Sequence, residues 1–320
     1  MMRGRLRLVI GLALSGGLLW LALRGIDWRQ SAAAFREADV GLLLLALLVQ
    51  VGTYLLGALR WQALFPRRPE AGLAHLTAAL LAGQLVNLAA PVRLGPLVRA
   101  YLAGSERAGR ALALATVIGE KVIDLAVLAV GALWLVAALP VPPWLRQAGW
   151  LGAGVAAVAL AALASVAGGR RWLVATLARL GRRVAGLGEA ALASLDVWRR
   201  PGRLARPLLW TALIWGAGAL VNWLVLRAMG LAAGPAVAAA LLVLLQLGVR
   251  VPGAPANLGV FESLCILGLS WFGLERGAAL SYGLALHGVV LLPGLVGGAV
   301  ALWRVAPRWG VLREAVEAGG

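Results

Sequence analysis

The sequence predicts an all-α, polytopic membrane protein with about six full spans and two re-entrant, broken-helix hairpins arranged as an inverted repeat. Three observations carry this. Of 320 residues, 62% are hydrophobic and only 13% charged, with a mean hydropathy of +0.88; a soluble domain carries about 25% charged residues. Apolar runs of about twenty residues recur along the chain, each long enough as a helix to cross a hydrocarbon layer of ~30 Å. Two of the runs are broken by proline and glycine at similar places in the two halves. An ordinary soluble protein, a disordered chain and a disulfide scaffold are excluded.

The elements follow in order. Residues 8–23 form the first apolar run; Arg3, Arg5 and Arg7 before it imitate a secretory signal, but no small-x-small cleavage site follows, so it reads as an uncleaved span. Asp27 caps a short interfacial helix with Trp28, Ala32 and Phe35 on one face. Residues 40–59 span and end at Arg60-Trp61, with Arg67 and Arg68 beyond. Residues 73–90 are apolar but dotted with His75, Gln84 and Asn87, and then meet Pro91-Val92-Arg93-Leu94-Gly95-Pro96. Pro91 stops one half-helix and Pro96 suits the first turn of the next, which runs to about Gly104.

Residues 111–139 span and carry Glu120, Lys121 and Asp124 before Pro140, Pro142 and Pro143. Residues 148–167 form an uncharged span. Residues 170–207 are a polar segment with nine arginines against Glu189 and Asp196. Residues 208–229 span again, and residues 235–251 run into the second break, which holds Pro252, Pro255 and Gly259. A short apolar helix follows to Leu274, and residues 278–305 form the last span. Trp20, Trp61, Trp144, Trp150, Trp210 and Trp303 fall at span ends, as interfacial anchors do.

The formal net charge is +17, almost all of it arginine, since Lys121 is the only lysine. The arginines lie between apolar runs, not on one face of a folded module, so no nucleic-acid partner is expected. With both hairpins re-entrant, every strong arginine cluster falls on one side, which puts both termini in the cytoplasm of a plasma-membrane protein. The 170–207 segment is then a cytoplasmic retention signal, with anionic lipid headgroups as a secondary contact. The breaks match as Pro91-x-Arg93-Leu94-Gly95 and Pro255-x-Asn257-Leu258-Gly259, which divides a single membrane domain, 1–320, into repeat-like halves of about 40–139 and 208–305.

Charges at membrane depth are costly and therefore paired or functional. The candidates are Arg93, Arg99, Glu120, Lys121, Asp124, Arg250, Glu262 and His287. Arg93, Arg99 and the N-terminus of the helix after Pro96 make either a site for a lipid phosphate or a lock onto Glu120, Asp124 or Glu262. Glu120 and Asp124 share a helix face and either receive a cationic headgroup, carry protons, or pair with Arg93, Arg99 and Lys121. Glu262 is a partner for Arg250 or Arg93, or a substrate contact; His287 reads as a hydrogen-bonded packing residue. Asn87 and Gln84 are placed to satisfy backbone groups freed at the first break, and Gly294 and Gly298 suit close helix packing. The single Cys265 reads as a buried apolar thiol. No Walker loop, G-x-S-x-G or H-E-x-x-H is present, and no cofactor or metal is expected.

The run Gly83-Gln84-x-x-Asn87-x-x-x-Pro91-x-Arg93-x-Gly95-x-x-x-Arg99 resembles the signature of the lysylphosphatidylglycerol synthetase transmembrane region, or flippase-like, family. Glu120-Lys121-x-x-Asp124 and Pro255-x-x-x-Gly259-x-x-Glu262 resemble its two further elements, and the likeness covers nearly the whole chain. Pro96, Lys121 and His287 depart from the residues common there. The resemblance implies the lipid-translocating part of such proteins without the soluble aminoacyl transferase domain. The expected function is a lipid translocase for a polar-headed, anionic or aminoacylated lipid, with membrane lipids as partners and a homo-oligomer as one possible assembly. Arg93, Arg99, Asn87, Glu120, Asp124 and Glu262 would line its substrate site. The alternatives are a membrane-embedded transferase using Glu120 or Asp124 as general base, and a non-catalytic partner subunit of an envelope enzyme.

Overall fold

A computed structural model describes residues 34–305 apart from 68, 70, 90–93, 105–106, 139–142, 169–185, 187, 190–191, 195–196, 199–200 and 250–254. The first span, 8–23, most of the interfacial helix after Asp27 and most of the basic segment lie outside the described residues. So do Pro91, Arg93, Arg250 and Pro252.

All the described long elements are helices: α1 (Val40–Ala63), α2 (Leu73–Ala89), α3 (Gly95–Ala103), α4 (Arg107–Ala138), α5 (Pro143–Gly168), α6 (Pro201–Ala228), α7 (Pro235–Gly248), α8 (Val260–Ser270) and α9 (Arg276–Val305). The protein is thus a polytopic all-α membrane protein. Among the described residues, four helical segments are long and apolar enough to cross a membrane: Val40–Ala63, Gly109–Ala138, Gly202–Ala228 and Arg276–Arg304. α5 covers the expected 148–167 span, with Gly149–Ala162 as its apolar stretch.

α1 shows how the local sequence builds such a helix. The Asp39 carboxylate accepts the Leu42 N–H at 3.0 Å and caps the start. Leu44, Leu48, Val51 and Leu55 form an exposed stripe at helical spacing, while Ala46, Ala58 and Trp61 are buried. Apolar outside and small or aromatic inside is the pattern of a helix between lipid and protein. α1 lies antiparallel on α6: the Asp39 N–H donates to the Ala228 carbonyl (2.9 Å), and Arg60 at the other end reaches Thr211.

Both breaks fall at the stretches that combine proline with glycine, whereas Pro207 and Pro293 lie inside α6 and α9. α2 stops at Ala89 and α3 starts at Gly95 with Pro96 in its first turn. The two limbs fold back on each other: His75, near the start of α2, bonds the Leu102 carbonyl near the end of α3 (2.8 Å). Gly83 and Gly95 touch near the tip; a Cβ on Gly83 would lie 2.7 Å from Arg99 Cγ and 2.9 Å from the Gly95 carbonyl. α7 and α8 form a second hairpin, with Gly248 against Leu264 and Gly268 against Leu241 and Leu244. Between them a 3₁₀ turn, Pro255–Asn257, carries Ala256 and Asn257 at φ 57°. Gly259 follows at φ 82°, a left-handed position that suits glycine.

Packing repeats between the halves. α1 packs on α2 as α6 does on α7, α2 on α3 as α7 on α8, and α3 on α4 as α8 on α9. Across the halves α9 packs on α2 as α4 packs on α7. Gly294, Gly297 and Gly298 of α9 meet Leu81, Gln84, Leu85 and Leu88 of α2, so the expected close packing is present. The second-break turn also lies against α2, which brings the two hairpins together.

Candidate functional site

The first break supports a buried ionic cluster. Arg99, on the second turn of α3, extends over Gly83, where the missing side chain leaves room for its stem. Its Nη2 donates to Glu120 Oε2 at 2.7 Å and its Nη1 to Glu120 Oε1 at 3.2 Å. Glu120 Oε1 also accepts from Arg60 Nη2 (2.9 Å), so one carboxylate bridges two guanidiniums. Arg60 Nη1 donates to Asp124 Oδ1 at 2.6 Å, and Lys121 Nζ donates to Asp124 Oδ2 at 3.0 Å. Arg60, Arg99 and Glu120 are all buried, whereas the Lys121 side chain is half exposed. Glu120 lies 13 residues into α4, about 20 Å along it, so the cluster is within the span.

An aromatic and two hydroxyls complete the setting. The Arg99 guanidinium sits 4.4 Å from the centroid of the Trp61 ring, a cation–π contact. Trp61 Nε1–H donates to Thr116 Oγ1 (2.9 Å), which fixes the ring. Thr211 Oγ1 lies 3.5 Å from Arg60 Nη1 and donates to the Pro207 carbonyl. Two guanidinium donors remain over: the Nε–H of Arg60 and of Arg99 are buried with no hydrogen-bond partner among the described residues. Buried N–H groups are rarely left so.

The second break is built differently. Glu262 Oε2 accepts the Gly259 N–H at 2.7 Å, closing the first turn of α8. Its Oε1 lies 2.6 Å from His287 Nδ1, and His287 Nε2 lies 3.0 Å from the Ala256 carbonyl. Phe261 stacks on the imidazole at 4.3 Å between centroids. Cys265 is buried, as expected. No group of three or more metal-ligating side chains occurs among the described residues.

Set against the sequence-based expectations, the cluster unites Arg99, Glu120, Lys121 and Asp124 and adds Arg60, which had read as a membrane-flanking charge. Arg60 is only 6% exposed and Trp61 wholly buried, so neither marks an interface; Trp150 and Trp303, well exposed, fit that role. The available signal was that Ala63-Leu64-Phe65 continue the apolar run past Arg60. Thr116 and Thr211 carried no sequence signal. The start of α3 offers fewer free donors than expected. Asn87 Oδ1 accepts the Gly95 N–H (2.8 Å), Pro96 has none to give, and Leu97 and Val98 both donate to the Leu94 carbonyl. Glu262 is joined to His287, a pairing the sequence did not indicate, and His287 is the buried, hydrogen-bonded residue that was expected.

The family model for the lysylphosphatidylglycerol synthase transmembrane region matches residues 8–298. The chain belongs to that family. No curated protein matches it. Membership ties this lysylphosphatidylglycerol synthase-type membrane region to lipid metabolism or transport, and its match runs across both breaks and both buried acid–base pairs.

Proposed function

We propose that this protein is a flippase-like lipid translocase in the plasma membrane, with both termini cytoplasmic and no enzymatic step of its own. In this reading the two hairpins are re-entrant. The nine residues of α3 reach about 14 Å and the eleven of α8 about 17 Å, well short of a ~30 Å layer. The antiparallel α1 and α6 and the repeated packing support an inverted repeat, the layout in which a site between broken helices is exposed to either side by rocking.

The observation that carries the reading is the pair of unpartnered Nε–H groups on Arg60 and Arg99. The charges of Arg60, Arg99, Glu120 and the part-buried Asp124 balance among themselves, and the two spare Nε–H donors suit an anionic oxygen. A lipid phosphate oxygen bonded to either Nε–H supplies what the protein does not. Arg93, which lies in this break by sequence, is a further candidate for anion binding. Lys121, half exposed, holds Asp124 Oδ2; by swinging away it leaves that oxygen for a headgroup amine. Asn87 holds the hairpin tip in shape at Gly95.

The test is reconstitution in vesicles with headgroup-labelled anionic, zwitterionic and aminoacylated phospholipids. Wild type is expected to move at least one class across the bilayer. Arg60→Lys and Arg99→Lys keep the charge and lose the Nε–H, and are expected to be at least about tenfold slower, the rate equivalent of one charge-assisted hydrogen bond. Equal rates for wild type and both variants, across all three lipid classes, overturn the reading. A covalently altered lipid recovered from the vesicles would replace it with the transferase.

A further inference from the structure

Among the described residues, each hairpin is pinned to the span that follows it by one buried acid–base pair, and the two pairs differ in kind. In the first half the base is on the hairpin, Arg99, and the acid on the span, Glu120. In the second half the acid is on the hairpin, Glu262, and the base on the span, His287. A guanidinium does not give up its proton in a protein, so the first pin is permanent. An imidazole and a carboxylate can lose the proton between them, so the second is not.

The hydrogen bonds count the protons. The Ala256 carbonyl only accepts, so His287 Nε2 carries a hydrogen. Across the 2.6 Å contact of Nδ1 with Glu262 Oε1 one further proton is held, on nitrogen or on oxygen, and the pair is neutral in either form. Loss of that proton leaves a carboxylate facing the lone pair of a neutral imidazole. Those two atoms then repel, while Glu262 Oε2 remains on the Gly259 N–H. Either the imidazole moves or its one remaining hydrogen shifts to Nδ1 to restore that contact; both remove the bond that holds the Ala256 carbonyl in a turn where Ala256 and Asn257 both have φ 57°. The left-handed conformation is unfavourable for an alanine, so an outside hold is needed to keep it.

We propose that Glu262 and His287 form a proton-binding site at the second break, and that the bound proton latches the hairpin tip closed. This rests on the translocase reading in one respect only: that the tip is part of the lipid path, so that a proton gradient drives its opening and closing. The surroundings leave the proton to this pair. Beside Glu262 on α8 stands Cys265, and on α9 stand Gly283, against Cys265, and Tyr282, whose hydroxyl donates to Asn222 of α6. The described residues of α7 carry no titratable side chain. α2 contributes Gln84 and Asn87, with its one histidine, His75, at the far end on the Leu102 carbonyl. α1 contributes Tyr54, whose hydroxyl lies near Gly294.

Glu262→Gln separates the latch from its proton. A glutamine amide can donate to Nδ1 of a neutral imidazole while its oxygen still accepts the Gly259 N–H, so the variant imitates the loaded pair at every pH. Hydrogen–deuterium exchange of the peptide around 255–260 is measured in purified full-length protein across the pH range and corrected for intrinsic rates. In wild type, exchange is expected to rise by about tenfold or more with rising pH, as local opening becomes easier. Glu262→Gln is expected to stay flat and protected, and His287→Gln to be flat at either level. A flat wild-type profile, or the same rise in Glu262→Gln, overturns the latch. In vesicles with an imposed pH difference, lipid movement by wild type is expected to follow the gradient and that by Glu262→Gln to ignore it; equal responses overturn the coupling. Wild-type vesicles that move no lipid sink the translocase reading, and the exchange data then still decide the latch.

Discussion

Arg60 and Arg67 are both arginines near the end of an apolar run, and only their surroundings separate them. Arg67 is exposed; Arg60 is buried and spends its two terminal nitrogens on Glu120 and Asp124. Removing one member of such a cluster leaves an uncompensated charge in a dry setting, which costs more than the pair is worth. Glu120→Gln is therefore expected to destabilise the protein by roughly 3 kcal/mol, because both Arg60 and Arg99 lose their shared carboxylate. Trp61→Phe removes the bond to Thr116 and part of the surface beneath Arg99. Thr116 keeps its bond to the Ala113 carbonyl, so the loss is expected to be smaller, about 1 kcal/mol. Thermal unfolding in detergent checks both; a larger drop for Trp61→Phe than for Glu120→Gln would contradict the ranking.

Among helices, glycine decides how closely they cross. A Cβ on Gly298 would lie 2.6 Å from Leu85 Cβ and 2.7 Å from the Leu81 carbonyl, so α9 and α2 touch almost backbone to backbone there. Gly298→Leu is expected to force these helices apart and to cost about 1–3 kcal/mol. Gly216 in α6 meets nothing within 4 Å, and Gly216→Ala is expected to be neutral or to stabilise by up to about 1 kcal/mol through helix propensity. Melting temperatures of the two variants should move in opposite directions, or Gly216→Ala not at all; a fall for both would mean that helix packing is not what sets them apart. The hairpins were legible at this scale because proline has no N–H and disfavours the helical form of the residue before it, and at both breaks it falls together with glycine, whereas Pro207 and Pro293 alone leave α6 and α9 continuous. Even so, the sequence overstated the anion-binding capacity of the start of α3, since Asn87 and Leu94 take up its backbone donors.

For the whole molecule, the antiparallel α1 and α6 set which loops share a side. Arg203 Nη1 donates to the Pro66 carbonyl, so the end of α1 and the start of α6 lie together, and Asp39 meets Ala228 at the opposite end. With Cys265 replaced by serine, single cysteines at Arg203 and Leu231 are expected to react with a membrane-impermeant thiol reagent from opposite faces of the membrane. Reaction of both from one face would refute the orientation derived from the arginines. The apolar runs, the two interruptions and the family were all readable from the linear sequence. In a hydrocarbon layer every backbone N–H and C=O must find its partner inside its own helix, so a run of apolar residues is an instruction in itself. The meeting of Arg60 with Glu120, 60 residues apart, and of Glu262 with His287, 25 apart, was not readable. Those pairings depend on where helices cross and how near glycines let them come, and no periodicity within one helix encodes the position of another.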